Sequence, residues 1–363
     1  MNPDHTLGDI APLMASLGKL RQKIVLYGAG ACGGYVLRHL RAKGIEPLAI
    51  VDSDSSKWGT TMSKSTMRDG IEGIEIISPD VAKVLYLDAE WVACAISRPA
   101  APEIRAQLKA MGGKTKPLWE VLPVCHGLPP KGTQKTIADL LDDEQSLLEW
   151  CRQYEFRKNP DYDAQLPPSD IKEIYFPDFI THRDDEHFLD AGGGDGDTIK
   201  AFIERWTNYS QITAFEPDEE NMAKLRESTS TNSRVLRFDK ALSDHMHEEF
   251  FTANGDYSSH LGEGQHRIQC WKLDDIYAES SRPPTYIKMD IESAEPEALW
   301  GARRILAEHK PVLAICAYHK SEHLWSIPLL IHALQPEYSL RLRRYAEGAF
   351  ELVWYAVPPE RVK

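Results

Sequence analysis

The sequence lacks the features that would indicate a membrane, secreted or zinc-binding protein. It has no run of the roughly 18 apolar residues that a membrane-spanning helix requires. Its first residues include Asp4 and Asp9, where a secretory signal peptide needs a positive start and an unbroken apolar stretch. The six cysteines are scattered and form no CxxC pair, a pattern typical of reduced thiols. We therefore expect a cytoplasmic protein without structural zinc.

Positive charge is also in short supply. Aspartate and glutamate outnumber lysine and arginine by 55 to 42, and the formal net charge is −13. This balance argues against a nucleic-acid backbone or an anionic membrane as the main partner. A local basic pocket could still bind one anionic small molecule. The apolar fraction of 42% is ordinary for a globular protein, and 363 residues are enough for two domains.

The sequence pattern predicts two α/β domains joined by a helical linker. Short apolar strands alternate with amphipathic helices from Lys23 onward, which predicts a parallel sheet in a Rossmann-like domain over residues 1–125. Leucine spacing predicts a helix within the linker, residues 126–169. A second α/β series occupies residues 170–363, and its two last strand-like runs suit an antiparallel hairpin at a sheet edge.

Each domain opens with a strand that leads through a glycine turn into a helix. The first turn, in "KIVLYGAGACGG", contains Gly28, Gly30 and Gly33. The second turn, in "FLDAGGGDGDTI", contains Asp190, Gly192, Gly194 and Gly196. An acid follows about 20 residues later in both cases, Asp52 in the first domain and Glu216 in the second. A carboxylate at that position can bind both hydroxyls of a ribose, so each domain is a candidate for an adenosine-type ligand.

Charge distinguishes the two predicted ligands. The first turn has no acid, so its backbone N–H groups and helix end could meet the phosphates of NAD or a nucleotide-sugar. A purely structural Rossmann-like domain is the alternative there. In the second turn, Asp190, Asp195 and Asp197 would repel a pyrophosphate. They would attract the ammonium and sulfonium groups of S-adenosylmethionine, which is the cofactor we predict.

From about residue 170 to 358, the sequence resembles the FkbM-type methyltransferases. The resemblance covers successive blocks in order, including "HFLDAGGGDGDTIKAF", "AFEPDEENMAKL", "YIKMDIESAEPEALWGARRIL" and "KPVLAICAYHK". It implies a class I (seven-stranded, Rossmann-like) methyltransferase domain that uses S-adenosylmethionine. It also implies methyl transfer to a hydroxyl oxygen, usually on a sugar or a secondary metabolite.

The resemblance also assigns residues to the cofactor site. Asp190, Gly192, Gly194 and Gly196 match the cofactor loop, Glu216 matches the ribose-binding acid, and Asp239 and Ala241 lie in the block that borders the adenine. Ser293 departs from the pattern, because the family usually has glycine there. The tail "AFELVWYAVP" departs from the more usual "ETVLYA". The N-terminal part resembles, over a shorter stretch, a small nucleotide-binding-like domain that precedes some family members.

Three side chains are predicted to converge beside the cofactor. Asp290 and Glu292 follow one predicted strand, and His319 follows a neighbouring one. An alcohol needs help to lose its proton, which a histidine base could give. A Mg²⁺ or Mn²⁺ ion held by the same three residues could do so as well. The alternative for both acids is capping of the next helix, whose dipole Glu295 is expected to complement.

We predict an S-adenosylmethionine-dependent O-methyltransferase that acts on a small-molecule or glycan acceptor. One alternative is a nucleotide-sugar oxidoreductase that binds NAD in the first domain, although no Tyr-x-x-x-Lys dyad follows the first turn. Another is a non-catalytic nucleotide or sugar sensor. The sequence leaves the acceptor open. It also leaves the oligomeric state open, with a homo-oligomer as one alternative.

Overall fold

A computed structural model describes most of the chain. The described residues are 23–62, 74–96, 99–116, 118, 127–162, 165–252, 260–262, 264, 266–278 and 282–363. The chain divides into two compact units, Met1–Pro123 and Val124–Lys363. Among the described residues, no helix has both the length and the apolar character that crossing a membrane would need.

The first unit is built on a parallel sheet with the strand order β3-β2-β1-β4-β5. Its strands are β1 (Ile24–Tyr27), β2 (Ala49–Val51), β3 (Ile76–Ile77), β4 (Glu90–Ala93) and β5 (Lys114–Thr115). Its helices are α1 (Ala31–Ala42), α2 (Pro79–Tyr86) and α3 (Ala100–Met111). Strand β1 is buried along its whole length, as expected for a central parallel strand. The predicted α/β character of this region is confirmed.

Two helices precede the main sheet of the second unit, and the second of them packs against its edge strand β15 (Ser339–Arg344). They are α4 (Thr133–Leu140) and α5 (Glu144–Lys158). The N-cap residue of α5 is Asp143, whose side chain accepts from the backbone N–H of Ser146. The Ser146 hydroxyl then accepts from the N–H of Leu342 at 2.9 Å, and Glu149 pairs with Arg344 at 2.8 Å. The predicted linker helix is therefore attached to the second unit.

The second unit contains eleven strands among its described residues. They are β6 (His187–Ala191), β7 (Gln211–Phe215), β8 (Val235–Phe238), β9 (Ala241–Leu242), β10 (His247–Thr252), β11 (His260–Leu261), β12 (His266–Trp271), β13 (Tyr286–Met289), β14 (Val312–Cys316), β15 (Ser339–Arg344) and β16 (Leu352–Val357). Its later helices are α6 (Asp197–Arg205), α7 (Glu219–Ser228), α8 (Leu273–Ile276), α9 (Glu295–Gly301), α10 (Arg303–His309) and α11 (His323–Leu334).

Seven of these strands form one sheet with the order β15-β16-β14-β13-β6-β7-β8. The five strands from β14 to β8 are parallel to one another. Strand β16 is antiparallel to β14, and β15 is antiparallel to β16. The remaining four strands form a smaller sheet with the order β11-β10-β12-β9.

The parallel strands determine where a site can form. Their carboxyl ends lie at one edge of the sheet, which is where open α/β sheets bind ligands. The second glycine turn follows β6, and Glu216 follows β7. Asp290 follows β13 directly, and His319 lies three residues after β14. The fold thus gathers these side chains at one edge of the sheet.

Candidate active site

The second glycine turn packs against the end of β13. Gly192 has φ +81°, and a Cβ atom there would lie 1.9 Å from the carbonyl oxygen of Asp290. The N–H groups of Gly192 and Gly193 both donate to the carbonyl of Phe215 at 3.0 Å. Gly196, at φ +94°, precedes α6 as its N-cap residue. Glycine is required at position 192 because any side chain would overlap the backbone of the neighbouring strand.

Glu216 holds this turn in place. One of its carboxylate oxygens accepts from the N–H of Gly194 and the other from the N–H of Asp218, each at 2.8 Å. Burial raises the pKa of Glu216 to about 7, although the two N–H groups act in the opposite direction. Each carboxylate oxygen can accept a second hydrogen bond. Glu216 can therefore support the turn and still accept from a ligand.

Asp190 is buried beneath the turn and is paired with a lysine. Its carboxylate lies 3.0 Å from the ammonium group of Lys288, and both side chains are almost fully buried. Burial raises the pKa of Asp190 to about 6, while Lys288 lowers it. Lys288 also donates to the carbonyl of Gly192 at 2.7 Å. The charge of Asp190 is thus balanced within the protein, and Asp195 and Asp197 are the acids on the turn itself.

The two residues expected beside the adenine have different surroundings. Asp239 follows β8 directly and pairs with Lys240 at 2.8 Å, with 60% of its side chain exposed. The carbonyl of the preceding Phe238 accepts from the N–H of Glu216 at 3.0 Å. Ala241 is buried in β9, where it pairs with Cys270 of the small sheet. Asp239 therefore lies at the same sheet edge as Glu216, whereas Ala241 belongs to the small sheet.

Asp290 is the centre of a polar cluster. One of its oxygens accepts from the Tyr175 hydroxyl at 2.8 Å. The other lies 3.2 Å from the Tyr318 hydroxyl and 3.1 Å from Nε2 of His319. Burial would raise the pKa of Asp290, but His319, Lys288 and Tyr175 together hold it well below its usual range. Asp290 is therefore a carboxylate anion.

His319 lies between carboxylates on both sides of its ring. Its Nδ1 is 2.8 Å from Glu295, and its Nε2 is 3.1 Å from Asp290 and 3.7 Å from Glu292. Burial disfavours the charged ring, but these acids raise the pKa of His319 well above its ordinary value. An imidazolium that donates from both nitrogens fits this arrangement. In that form, the ring has no lone pair with which to act as a base.

Glu295 contributes more than the helix-dipole role expected from sequence. Its side chain is fully buried, and it accepts from the N–H of Ile291 at 3.0 Å as well as contacting His319. The presence of three acids within "DIESAE" was the available signal. The contributions of Tyr175 and Tyr318 had no such signal in the sequence.

Asp290 does not cap the helix that follows it. Helix α9 begins after Ala294, and no side chain caps it at that residue. The Asp290 oxygens instead contact two tyrosines and a histidine. The segment before the helix also has an unusual backbone, because Glu292 has φ +51° and Ser293 has φ +90°. Glycine adopts such angles readily, which accounts for the glycine that FkbM-type sequences usually have at position 293.

The first glycine turn is closed by an acid in a similar way. Asp52 accepts from the N–H of Ala29 at 2.7 Å and from Lys57 at 2.9 Å. A Cβ at Gly33 would lie 2.0 Å from the carbonyl oxygen of Gly28, and one at Gly28 (φ +120°) would lie 2.6 Å from that of Cys94. A Cβ at Gly30 would meet no described atom within 4 Å. Packing thus accounts for Gly28 and Gly33 but not for Gly30.

Residues 190–339 match the family model for the methyltransferase FkbM domain. Among solved structures, the chain is similar to the methyltransferase FkbM from Methylobacillus flagellatus KT, with 21% identity and a TM-score of 0.66. That alignment covers 95% of this chain and 93% of the other, which shows a shared fold. No curated protein sequence matches the chain. The resemblance to FkbM-type methyltransferases is therefore confirmed.

Two weaker structural similarities involve other proteins. UDP-D-quinovosamine 4-dehydrogenase from Vibrio fischeri is 24% identical over 26% of this chain and 76% of that chain, with a TM-score of 0.21. Fibrillarin from Aeropyrum pernix, which has natively bound S-adenosyl-L-methionine, is 10% identical over 52% of this chain and 71% of that chain, with a TM-score of 0.32. Similarities this low bear on neither the fold nor the function of this chain.

The backbone at Ser293 leads to a stability prediction. We expect Ser293→Gly to raise the free energy of unfolding by about 1 kcal/mol, because glycine relieves the cost of a positive φ. Urea unfolding measures the change, provided that the free energy of unfolding has the same dependence on urea concentration in both proteins. Ser230→Gly is the control, since Ser230 is exposed and is not among the residues with positive φ. A Ser293→Gly variant no more stable than the wild type would contradict the prediction.

Two glycines of the first turn test whether the turn serves packing or ligand binding. Gly33→Ala should lower the free energy of unfolding by about 1–3 kcal/mol, because its methyl group would overlap a carbonyl oxygen. Gly30→Ala should change it by less than about 1 kcal/mol. Titration of the folded Gly30→Ala protein with NAD and UDP-sugars then tests for a ligand. If the two variants have the same free energy of unfolding, the open space around Gly30 is contradicted.

Proposed function

We propose that the chain is an S-adenosylmethionine-dependent O-methyltransferase, because residues 190–339 match the family model for the methyltransferase FkbM domain. Its acceptor would be a hydroxyl group on a saccharide or a secondary metabolite. The observation that carries the proposal is the packing of Gly192 against the backbone of Asp290. This contact places the expected cofactor loop beside a cluster of ionisable side chains.

The residues at the sheet edge suit this cofactor. Glu216 has acceptor capacity left for ribose hydroxyls, and Asp239 lies at the end of the adjacent strand. Asp195 and Asp197 supply negative charge at the turn, which favours a cationic ligand over a phosphate. When bound, S-adenosylmethionine supplies a methyl group on a positively charged sulfur. The order of the seven strands, with its antiparallel edge hairpin, also suits a class I methyltransferase domain.

The polar cluster would act on the acceptor. An alcohol does not ionise at neutral pH without help, so a group near the methyl donor must remove or share its proton. In the proposed site, Asp290 orients the acceptor hydroxyl and is itself oriented by Tyr175, Tyr318 and His319. His319 then acts as a cation that holds Asp290 in place.

A divalent cation is the second way in which this cluster could lower the pKa of the acceptor. Ligand atoms of Asp290, Glu295 and His319 lie within 4.8 Å of one another. Glu295 faces Nδ1 of His319, so an ion at Nε2 would bind between Asp290 and Glu292. A carboxylate on the second ring nitrogen is a common companion of metal-bound histidine. Mg²⁺ or Mn²⁺ would suit two carboxylates and one imidazole.

A nucleotide ligand in the first unit is a separate proposal. Its support is the open space at Gly30, for which packing among the described residues gives no reason. Such a ligand could be NAD or a nucleotide-sugar, and it would not change the reaction proposed for the second unit.

Replacing Glu216 tests the cofactor site. Glu216→Ala should weaken S-adenosylmethionine binding about 10- to 100-fold, the range for lost hydrogen bonds to a charged group. Isothermal titration calorimetry measures the dissociation constant. Asp52→Ala is the matched control, because Asp52 supports the other glycine turn in the same manner. Equal affinity in the Glu216 variant and the wild type would exclude the assigned cofactor site.

Replacing Asp290 tests the chemistry. Asp290→Asn should lower single-turnover methyl transfer about 10²- to 10⁴-fold while leaving cofactor affinity nearly unchanged. Asp274→Asn is the control, since Asp274 is a buried carboxylate that accepts from the backbone N–H groups of Arg304 and Ile305. It should lower the melting temperature and keep the rate per folded molecule. If Asp290→Asn lowers the melting temperature but keeps the wild-type rate per folded molecule, the role of Asp290 is structural only.

The wild type and Asp290→Asn also show whether the cluster binds a divalent metal ion or holds His319 as an imidazolium. If a metal ion is used, EDTA should abolish activity, Mn²⁺ should restore it, and Mn²⁺ should raise the melting temperature of the wild type but not of Asp290→Asn. Activity that persists in EDTA would leave the imidazolium arrangement as the explanation of the cluster.

A further inference from the structure

Glu351 is a carboxylate at the site edge that the sequence did not single out. It directly precedes β16 and has φ +49°. The carbonyl of Leu352 accepts from the N–H of Ala317 at 2.8 Å, and Val353 pairs with Cys316 in the antiparallel register. Continuing this register places Glu351 opposite Tyr318, the residue that precedes His319 in the chain. The hairpin thus brings Glu351 to the carboxyl ends of the parallel strands.

The hairpin turn before Glu351 is anchored by side chains outside it. The carbonyl of Gly348 accepts from Gln153 at 3.0 Å and from Gln165 at 2.7 Å. Gln165 also accepts from the N–H of Gly348 at 3.0 Å. At the end of the turn, the carbonyl of Glu351 accepts from the N–H of Tyr345 at 3.0 Å. The backbone of Glu351 is therefore held in a conformation that is costly for a residue with a side chain.

The other ionisable groups of the site have partners. Both nitrogens of His319 face carboxylates, both oxygens of Asp290 have partners, and Glu295 contacts His319 and the N–H of Ile291. Within the described part of the chain, no hydrogen bond or ion pair holds the Glu351 carboxylate. Partly buried and without such a partner, Glu351 can receive a proton without breaking an existing contact.

Resting on the function proposed above, we propose that Glu351 is the general base that accepts the proton of the acceptor hydroxyl. The hydroxyl oxygen forms a bond to the methyl carbon through one of its lone pairs. The bond between that carbon and the cofactor sulfur breaks, and its electron pair stays on the sulfur. The hydroxyl proton moves to the Glu351 carboxylate. The products are the methyl ether, the neutral thioether and a protonated Glu351.

The charges that face Glu351 suit this role. Burial has the largest effect and raises the pKa of Glu351 to about 7. Within this overall shift, Asp290 and Glu292 also act to raise the pKa, whereas His319 and Lys288 act to lower it. A base whose pKa lies near the working pH is the most effective in proton transfer.

The first test uses stability and needs neither cofactor nor acceptor. A carboxyl group with a raised pKa stabilises the folded state fully below its unfolded pKa, and this contribution is lost as the pH rises through 7. Glu351→Gln should therefore melt close to the wild type at pH 5 and at a higher temperature at pH 8. The control is Glu227→Gln, at an exposed position of α7, which should show no such pH-dependent difference. The same difference at both pH values in Glu351→Gln would overturn the proposal.

The second test compares binding with turnover in the full chain. The probes are labelled S-adenosylmethionine and a panel of methyl glycosides of hexoses, deoxyhexoses and uronic acids. Glu351→Gln should bind the cofactor as the wild type does and transfer methyl groups about 10²- to 10⁴-fold more slowly. It should also lose the rise in rate near pH 7. Glu351→Asp should recover part of the rate because it restores a carboxylate.

The outcomes distinguish the two proposals. A wild-type rate in Glu351→Gln overturns the role of Glu351 and leaves the methyltransferase intact. Weakened cofactor binding in that variant also overturns the role as base, because the residue would then belong to the cofactor site. A wild type that neither binds S-adenosylmethionine nor methylates any probe overturns the proposed function, and the role of Glu351 falls with it.

Discussion

The close packing of the second glycine turn on the end of β13 is the constraint on which the candidate site depends. Parallel pairing of β6 with β13 and with β7 brings the loops that follow these strands together. Since Gly192 has no side chain, its backbone can lie directly against the carbonyl of Asp290. A backbone contact therefore holds the expected cofactor loop beside Asp290.

Buried charge in the site is arranged in mutually dependent pairs. Lys288 balances Asp190, and His319 lies between Asp290 and Glu295. Removing one member of such a pair leaves a buried charge uncompensated, at a cost of about 3–5 kcal/mol. Glu351 differs because, among the described residues, no ion pair holds its carboxylate, so the proposed reaction would use a group that reduces stability near neutral pH. Stability and activity are expected to oppose each other at this residue.

Much of the second unit could be predicted from local patterns. The glycine turn, Glu216, Asp290 and His319 each follow a predicted strand, and parallel strands bring such positions to one edge. Other contributions could not be predicted in this way. Tyr175 approaches Asp290 from 115 positions away in the chain, and the position of Glu351 depends on the register of an antiparallel edge strand. Glu295 was predicted at a helix start, but its contact with His319 requires two elements to pack together.

The sequence by itself determined the strand, turn and helix order, the glycine positions and the resemblance to FkbM-type methyltransferases. These features depend on backbone preferences and on neighbours within a few residues. Only the tertiary structure decided the charge state of the site. The sequence predicted Asp190 as a charge for the ligand and His319 as a base or metal ligand, whereas the folded chain pairs Asp190 with Lys288 and places His319 between acids. Protonation depends on burial and on distances between side chains that are far apart in sequence, and only packing sets those distances.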